Sequence, residues 1–250
     1  MEDCKIGLAW GFGNFLTGAT RPDQRLTMNY INSILKLEVG LIETADSYLS
    51  GETEKLLGAM SDQIKNVGVA TKVGGYRNSL PYPLNVQLVN SRVVQKLTII
   101  RNRGYFSFNP RILPDSLRGR LESSLKRLRR NEIDIYMLHG VPEHCRVEDF
   151  VAELINLKEL GMVRNIGLAL DGNLEVDTAW CDYLEITLDQ YNTDRFLNKA
   201  CIIRSIHRND IDKQDQVNKI VDKGFSGYLM SGSHNLNHYK ELADAVSKYR

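Results

Sequence analysis

Residues 133–170, IDIYMLHGVPEHCRVEDFVAELINLKELGMVRNIGLAL, contain two short apolar runs, Ile133–His139 and Asn165–Leu170, on either side of an amphipathic stretch that ends at Gly161. Short apolar runs rich in β-branched residues predict buried strands, and the amphipathic stretch predicts a helix. A strand, a helix and a second strand make up the unit of a parallel sheet. The segment therefore predicts an α/β fold.

The same alternation recurs along the chain and gives eight candidate strands. The other six are Ile6–Trp10, Leu41–Asp46, Val67–Val73, Glu185–Tyr191, Cys201–Ile206 and Gly227–Met230. Apolar residues at helical spacing lie between the strands, and Gly40, Gly161 and Gly224 are predicted helix ends. Eight strand–helix pairs in 250 residues predict a single (β/α)8 TIM barrel that spans residues 1–250 as one domain. A doubly wound open sheet ranks second because no GxGxxG sequence opens the first helix.

Two segments depart from an even barrel. Gly74–Ser116, between the third strand and its helix, is too long for a plain connection and predicts a long loop after strand 3. Asn192–Ala200, between strands 6 and 7, is too short for a full helix and predicts a reduced connection.

The composition narrows the range of partners. Hydrophobic residues make up 42% of the chain and charged residues 25%, and the net charge is +1. Such a balance predicts a folded protein without the strong field that attracts nucleic acid or a membrane surface. The chain has no apolar run of membrane-spanning length and its first residues do not resemble a secretory signal, so we expect a cytoplasmic protein. His139, His144 and Cys145 lack the spacing of a metal site, and no metal is expected.

Reactive side chains lie where three consecutive strands end. Strand 2 ends in the stretch from Glu43 to Tyr48, Lys72 lies near the end of strand 3, and His139 ends strand 4. Because loops at the carboxyl ends of barrel strands carry the chemistry, these four residues should converge. A lysine ammonium stabilises a phenolate, a carboxylate can hold that lysine, and an imidazole can orient a carbonyl. The set suits protonation of an oxygen while a hydride reaches the attached carbon.

Several longer stretches contain these residues. They are GLAWGFG at 7–13, LIETADSYLSGETEKLLG at 41–58, ATKVG at 70–74, SSLKRL at 123–128, IDIYMLH at 133–139, LGMVRNIG at 160–167 and DQYN at 189–192. In their order and spacing they resemble the aldo-keto reductases.

The resemblance implies reduction of an aldehyde or ketone, a small-molecule carbonyl substrate, by NADPH or, as the alternative, NADH. Tyr48 would be the general acid, Lys72 its partner, Glu43 the carboxylate that holds Lys72, and His139 the residue that orients the carbonyl. The other residues expected to bind the cofactor are Gln190, at the nicotinamide amide, with Arg204, Ser205, Gly232, Ser233, His234, Asn237 and His238. Trp10 is expected to form a wall of the substrate pocket.

The chain also departs from the family pattern. Glu43 replaces the family's catalytic aspartate, and Ala169-Leu170 replace a Ser-Asn pair that holds the nicotinamide amide. Arg204-Ser205 resemble a variant found in bacterial members encoded with sugar-pathway genes, which suggests a sugar-related substrate. His234 stands where an arginine often binds the 2′-phosphate of NADPH.

These departures leave two other hypotheses open. The first is a catalytically weakened or inactive barrel that binds a nucleotide or a protein partner. The second is a lyase that uses Lys72 as a Schiff-base nucleophile, because a desolvated lysine at a strand end also suits that chemistry.

Overall fold

Eight parallel strands close into a barrel in the computed structural model, with β1 hydrogen-bonded to both β2 and β8. The structure describes residues 6–12, 24–75, 112–140, 146–170, 176–196, 198–204, 206, 212–233 and 235–249. The strands are β1 Ile6–Gly11, β2 Leu41–Glu43, β3 Gly68–Val73, β4 Ile133–His139, β5 Val163–Ala169, β6 Tyr183–Thr187, β7 Ala200–Arg204 and β8 Gly227–Ser231. The predicted (β/α)8 barrel is confirmed.

Helices lie along the sequence between these strands. The helices within the described ranges are α1 Gln24–Leu35, α2 Glu52–Ala59, α3 Leu117–Leu128, α4 Val147–Glu159, α5 Leu188–Tyr191, α6 Lys213–Val221 and α7 Leu236–Ser247. Short 3-10 turns at Tyr48–Gly51 and Pro114–Ser116 precede α2 and α3. Among these helices, none has the length and apolar character needed to cross a membrane.

The prediction of a strand over Glu185–Tyr191 is wrong in its second half. The strand ends at Thr187, whose hydroxyl accepts a hydrogen bond from the backbone N–H of Gln190, while the Gln190 side chain accepts one from the backbone of Thr187. This capping box starts α5 and converts the apolar run into a helix. The predicted reduced connection between strands 6 and 7 is confirmed, because α5 has only 4 residues.

The predicted helix ends are correct at two of three glycines. Gly161 and Gly224 follow α4 and α6 with φ of 70° and 76°, a backbone conformation that suits glycine. Gly40 is not a helix end, because α1 stops at Leu35 and Glu38 has the positive φ, 54°. Of the predicted long loop Gly74–Ser116, residues 76–111 lie outside the described residues.

Two apolar layers support the barrel. The larger one lies between the strands and the helices. The smaller one, which we call the barrel plug, packs side chains from six strands against one another: Ala9, Leu41, Ala70, Ile135, Met137, Ile202 and Met230. The plug excludes water from the barrel below the carboxyl ends of the strands, and so forms an apolar floor for whatever lies above it.

Candidate active site

A ring of polar side chains lies directly above the barrel plug. Its members are Glu43 on β2, Lys72 on β3, His139 on β4, Glu185 on β6 and Arg204 on β7. Each one comes two residues after a side chain that belongs to the plug or packs against it. Because alternate residues of a strand point to the same side, all five side chains face the mouth of the barrel.

Lys72 lies at the centre of this ring and contacts two carboxylates. Its ammonium donates to Oε2 of Glu185 at 2.8 Å and to Oε1 of Glu185 at 3.0 Å, and it forms an ion pair with Oε1 of Glu43. The three residues are between 1% and 3% exposed. The predicted partnership of Glu43 with Lys72 is therefore present, and the longer glutamate arm reaches the ammonium.

The charges in this cluster depend on one another. Burial alone lowers the pKa of Lys72, but the charges of Glu185 and Glu43 outweigh burial and hold it well above its usual value. Burial raises the pKa of Glu43 to about 7. The charge of Glu185 also raises this pKa, whereas the charge of Lys72 lowers it. Lys72 is thus an ammonium at neutral pH, while Glu43 titrates close to neutrality.

Tyr48 reaches the ring from the turn after β2. Its hydroxyl donates to Oε1 of Glu43 at 3.3 Å, and the ammonium of Lys72 lies 5.5 Å from the centre of its ring. Burial of the hydroxyl and the charge of Glu43 raise the pKa of Tyr48 above its usual range, although Lys72 acts in the opposite direction. The phenol therefore carries its proton at neutral pH and can act as an acid.

His139 lies on the other side of Tyr48. The two rings meet edge to face, with centroids 5.8 Å apart and an interplanar angle of 86°. Burial and the positive charges of Lys72 and Arg204 hold the pKa of His139 well below its usual value, so the imidazole is neutral. A Cβ atom on Gly75 would lie 2.6 Å from Nδ1 of His139, and glycine is what allows the chain after β3 to approach this ring.

A buried hydrogen-bond network holds the segment that carries Tyr48. Thr53, in the first turn of α2, donates to the backbone carbonyl of Tyr48 at 3.3 Å. The next residue, Glu54, accepts from the hydroxyl of Thr71 at 2.7 Å and from Nε of Arg127 at 2.6 Å. Because Thr71 precedes Lys72 in β3, Glu54 ties α2 and α3 to the strand that positions the lysine.

The sequence matches the profile of the Aldo/keto reductase family over residues 7–212, a range that includes every member of the polar ring. The chain belongs to the aldo/keto reductase family. The family assignment agrees with the barrel and with the strand ends on which Tyr48, Lys72 and His139 meet.

Curated relatives of this aldo/keto reductase are distant and longer. An aldo-keto reductase of Bacillus subtilis, YhdN, is 26% identical over 181 residues, which cover 71% of this chain and 46% of that protein. An NADH-specific methylglyoxal reductase of Escherichia coli is 27% identical over 179 residues, which cover 69% of this chain and 49% of that protein. The chain thus spans less than half the length of the curated relatives it matches.

Solved structures share the fold at lower identity. The holo form of an aldo-keto reductase from Bacillus halodurans superposes with a TM-score of 0.67 at 14% identity, covering 96% of this chain and 86% of that one. An aldo/keto reductase from Klebsiella pneumoniae, solved with NADP and acetate, gives a TM-score of 0.59 at 16% identity, covering 96% of this chain and 85% of that one. At such identities the likeness establishes the (β/α)8 barrel.

The residues predicted to bind the cofactor on the β6 and β7 side occupy different settings in this aldo/keto reductase. The side-chain oxygen of Gln190 takes part in the cap of α5, where it accepts from the N–H and the hydroxyl of Thr187 at 2.8 and 3.1 Å. Arg204 lies in the mouth, donates to the carbonyl of Leu170 at 2.9 Å, and has Nε 3.7 Å from Oε1 of Glu185. Ser205 lies outside the described residues.

The predicted residues after β8 form a hydrogen-bonded loop at the start of α7. The hydroxyl of Ser233 lies 2.8 Å from Nδ1 of His238 and accepts from the backbone N–H of Asn235 at 3.0 Å. Asn235 caps α7 by accepting from the backbone N–H of Asn237 at 3.0 Å. Gly232 is partly buried beside Ser233, and His234 lies outside the described residues.

The structure does not bring Trp10 to the mouth of the barrel. Trp10 is fully buried and packs against Phe12, with ring centroids 4.8 Å apart, and against Tyr30 of α1 at 6.2 Å. Its neighbours in β1 face the other way, since a Cβ atom on Gly11 would lie 3.4 Å from Oε2 of Glu43. The alternation of side chains in β1 therefore places Trp10 in the layer between strands and helices.

Sequence reasoning missed Glu185 as a site residue. It placed Glu185 in a strand but assigned it no contact with Lys72, 113 residues earlier in the chain. A signal was present, because Glu185 is a charged residue between Leu184 and Ile186 in a strand with apolar neighbours. A charge at such a position is costly to bury unless it is paired.

Proposed function

We propose that this protein reduces an aldehyde or ketone to the alcohol with a reduced nicotinamide cofactor, and that Tyr48 donates the proton. The observation that carries the proposal is the convergence of the Tyr48 hydroxyl, the Lys72 ammonium and the neutral imidazole of His139 above the barrel plug. When bound, the cofactor supplies a hydride to the carbonyl carbon. The remaining steps belong to residues of the chain.

The proton moves from the phenol to the carbonyl oxygen. The C=O π bond breaks as the hydride forms the new C–H bond, and the oxygen takes the proton from Oη of Tyr48. A neutral His139 retains one N–H that can donate to the same oxygen and orient it. The ammonium of Lys72 stabilises the phenolate that remains, and the apolar plug keeps water from competing for the proton.

The donor groups of the β8–α7 loop suit the phosphates of such a cofactor. Gly232 and Ser233 lead into the N-terminus of α7, where backbone N–H groups and the helix dipole attract an anion. His238 lies within reach of the same loop through Ser233. Arg204 adds a cation at the β7 edge of the mouth. NADPH is the cofactor we propose, with NADH as the alternative.

The names of relatives guide the choice of substrate. One relative is a methylglyoxal reductase specific for NADH, one structural neighbour is a glycerol dehydrogenase of Gluconobacter oxydans, and others were solved with NADP or NADPH. We therefore propose a small carbonyl compound, with short aldehydes and keto sugars as the first classes to test.

A set of turnover and binding measurements tests this function. Cofactor binding is followed by fluorescence titration, and turnover by absorbance of the reduced cofactor across a panel of aldehydes, ketones and keto sugars. For Tyr48→Phe we expect a loss of turnover of about 100-fold or more, the usual range for removal of a general acid, with the cofactor Kd little changed. The control is Tyr183→Phe at the first residue of β6, whose side chain packs against the barrel plug below the polar ring, and it should retain wild-type turnover.

Two results would contradict the proposal. Unchanged turnover in Tyr48→Phe would remove Tyr48 from the proton step. Tight cofactor binding by the wild type without turnover of any carbonyl in the panel would favour a non-catalytic, nucleotide-binding barrel, an alternative motivated by Ala169 and Leu170 at the amide position.

The Schiff-base alternative is less well supported by the charges in the ring. A Schiff base requires the neutral amine of Lys72, and the charges of Glu185 and Glu43 hold its pKa well above the usual value. Borohydride reduction in the presence of the same carbonyl panel should therefore leave no adduct on Lys72.

A further inference from the structure

Glu185 occupies a position from which it controls Lys72. It lies in β6 in register with Ala169 of β5 and Ile202 of β7, and it is 3% exposed. Both of its oxygens contact the Lys72 ammonium, at 2.8 and 3.0 Å. The contact crosses the barrel from β6 to β3, so Glu185 restrains the lysine from the side of the mouth opposite to Glu43.

The hydrogen-bond donors of Lys72 are matched in number by the carboxylate oxygens around it. An ammonium has three N–H donors. Three carboxylate oxygens surround this one: both oxygens of Glu185 and Oε1 of Glu43. The carboxylates therefore compete with the hydroxyl of Tyr48 for the lysine. With Glu43 as the only carboxylate, more of the ammonium's positive charge would act on the phenol oxygen.

The charged groups of the ring also indicate that carboxylates dominate the surroundings of Lys72. The charged groups that face Tyr48 are the carboxylates of Glu43 and Glu185 and the cations of Lys72 and Arg204, while His139 is neutral. Arg204 is held at 3.7 Å from Glu185 and also donates to a backbone carbonyl, so it only partly offsets the second carboxylate. The immediate surroundings of Lys72 thus hold two carboxyl groups, Glu43 and Glu185, for one ammonium.

We propose that Glu185 is a positioning residue that holds the Lys72 ammonium through both of its oxygens, offsets the lysine's positive charge beside Tyr48, and so keeps the phenol in its proton-donating form. The inference rests on the proposed function and deepens it by assigning the residue that sets the protonation state of Tyr48. A phenol that keeps its proton serves the reduction of a carbonyl, which consumes a proton at this point. Oxidation of an alcohol needs the phenolate as a base, and Glu185 disfavours that form.

The titration behaviour of the neighbouring groups supports the proposal. After burial and the charge of Glu43, Lys72 lowers and Glu185 raises the pKa of Tyr48. Glu185 also contributes to the raised pKa of Glu43, the acceptor of the Tyr48 hydroxyl, which burial brings to about 7. Removing the charge of Glu185 should therefore stabilise the phenolate.

The test compares wild type with Glu185→Gln, which keeps the shape of the side chain and removes its charge. The first readout is the ultraviolet absorbance of tyrosinate during an alkaline titration, with the contribution of Tyr48 isolated by subtracting the same titration in a Tyr48→Phe background. We expect Glu185→Gln to lower the pH of Tyr48 ionisation by at least about one unit, since one unit is a tenfold change in acidity. This readout does not depend on turnover.

The second readout is the pH dependence of kcat/KM for carbonyl reduction and for alcohol oxidation. In Glu185→Gln the alkaline loss of reduction and the alkaline rise of oxidation should both begin at a lower pH, by the same amount as the shift in Tyr48 ionisation. Glu122→Gln on the exposed face of α3 is the control and should change neither readout.

The outcomes separate the two proposals. A shifted Tyr48 titration without carbonyl turnover would support the role of Glu185 and contradict the proposed function. Turnover that depends on Tyr48, with an unshifted or upward-shifted titration in Glu185→Gln, would overturn the role of Glu185. If Glu185→Gln does not fold, Glu185→Asp withdraws the carboxylate by one methylene group and should give a smaller shift in the same direction. Absence of that shift would overturn the inference.

Discussion

The substitution Glu54→Gln tests whether the network behind Tyr48 holds the site together. Glu54 is fully buried in α2 and joins two other elements through its two oxygens. One oxygen accepts from Thr71 of β3 at 2.7 Å, and the other accepts from Nε of Arg127 of α3 at 2.6 Å. The glutamine keeps the shape of the side chain but leaves the guanidinium without a carboxylate.

The size of the expected effect follows from burial. Removing one partner of a buried ion pair typically costs about 3–5 kcal/mol of unfolding free energy. The side chain of Arg127 is 14% exposed and also donates to Ser124 at 3.0 Å, and the glutamine retains one acceptor oxygen. These features reduce the loss, and we expect about 2–4 kcal/mol.

The assay is urea unfolding followed by circular dichroism, with Glu52→Gln as the matched control. Glu52 begins the same helix and pairs with Lys55, but the two side chains are 35% and 57% exposed. An exposed pair of this kind contributes less than about 1 kcal/mol, so the control should stay close to wild type. Equal losses in the two variants, or a loss below about 0.5 kcal/mol in Glu54→Gln, would refute the reasoning.

Two further predictions concern packing and pH. In Gly58→Ala the new Cβ atom would lie 2.0 Å from the backbone oxygen of Arg127, and we expect the unfolding free energy measured in urea to fall by about 1–3 kcal/mol. Gly119→Ala is the control, because a Cβ atom there meets nothing within 4 Å, and its unfolding free energy should match or exceed that of wild type. For Asp46, burial and then the charge of Glu54 raise the pKa to about 6, so the native state loses stability as pH rises from about 4 to about 6. Asp46→Asn removes this titration, and its stability relative to wild type should improve over that pH range by on the order of 2–3 kcal/mol. A gap between Asp46→Asn and wild type that stays constant from pH 4 to pH 7 would contradict the second prediction.

The fold was predictable from sequence because its signals are local. Each strand is a short apolar run, and each predicted strand lies within a few residues of an observed one. The largest error, the strand predicted to continue to Tyr191, also has a local explanation, since Thr187 and Gln190 have the spacing of a capping box. The apolar character of Leu188 and Tyr191 suits either a strand or a buried helical turn, and burial alone could not decide between them.

The geometry of the candidate site was predictable where its residues end strands and unpredictable where contacts cross the barrel. Glu43, Lys72 and His139 meet because neighbouring parallel strands bring their carboxyl ends together. Glu185 meets Lys72 only because the sheet closes on itself, and no local pattern encodes that closure. Trp10 illustrates the same limit, because its side of β1 depends on a strand register that sequence does not fix.

The most direct measurement of the central claim is the destination of a labelled hydride. The wild-type protein is incubated with NADPH in which both C4 hydrogens are deuterium and with the best carbonyl substrate of the panel, and the alcohol is analysed by mass spectrometry and NMR. The account predicts one deuterium on the former carbonyl carbon, and a rate of its appearance that falls about 100-fold or more in Tyr48→Phe. Alcohol without deuterium on that carbon, or labelled alcohol formed equally fast by Tyr48→Phe, would contradict it.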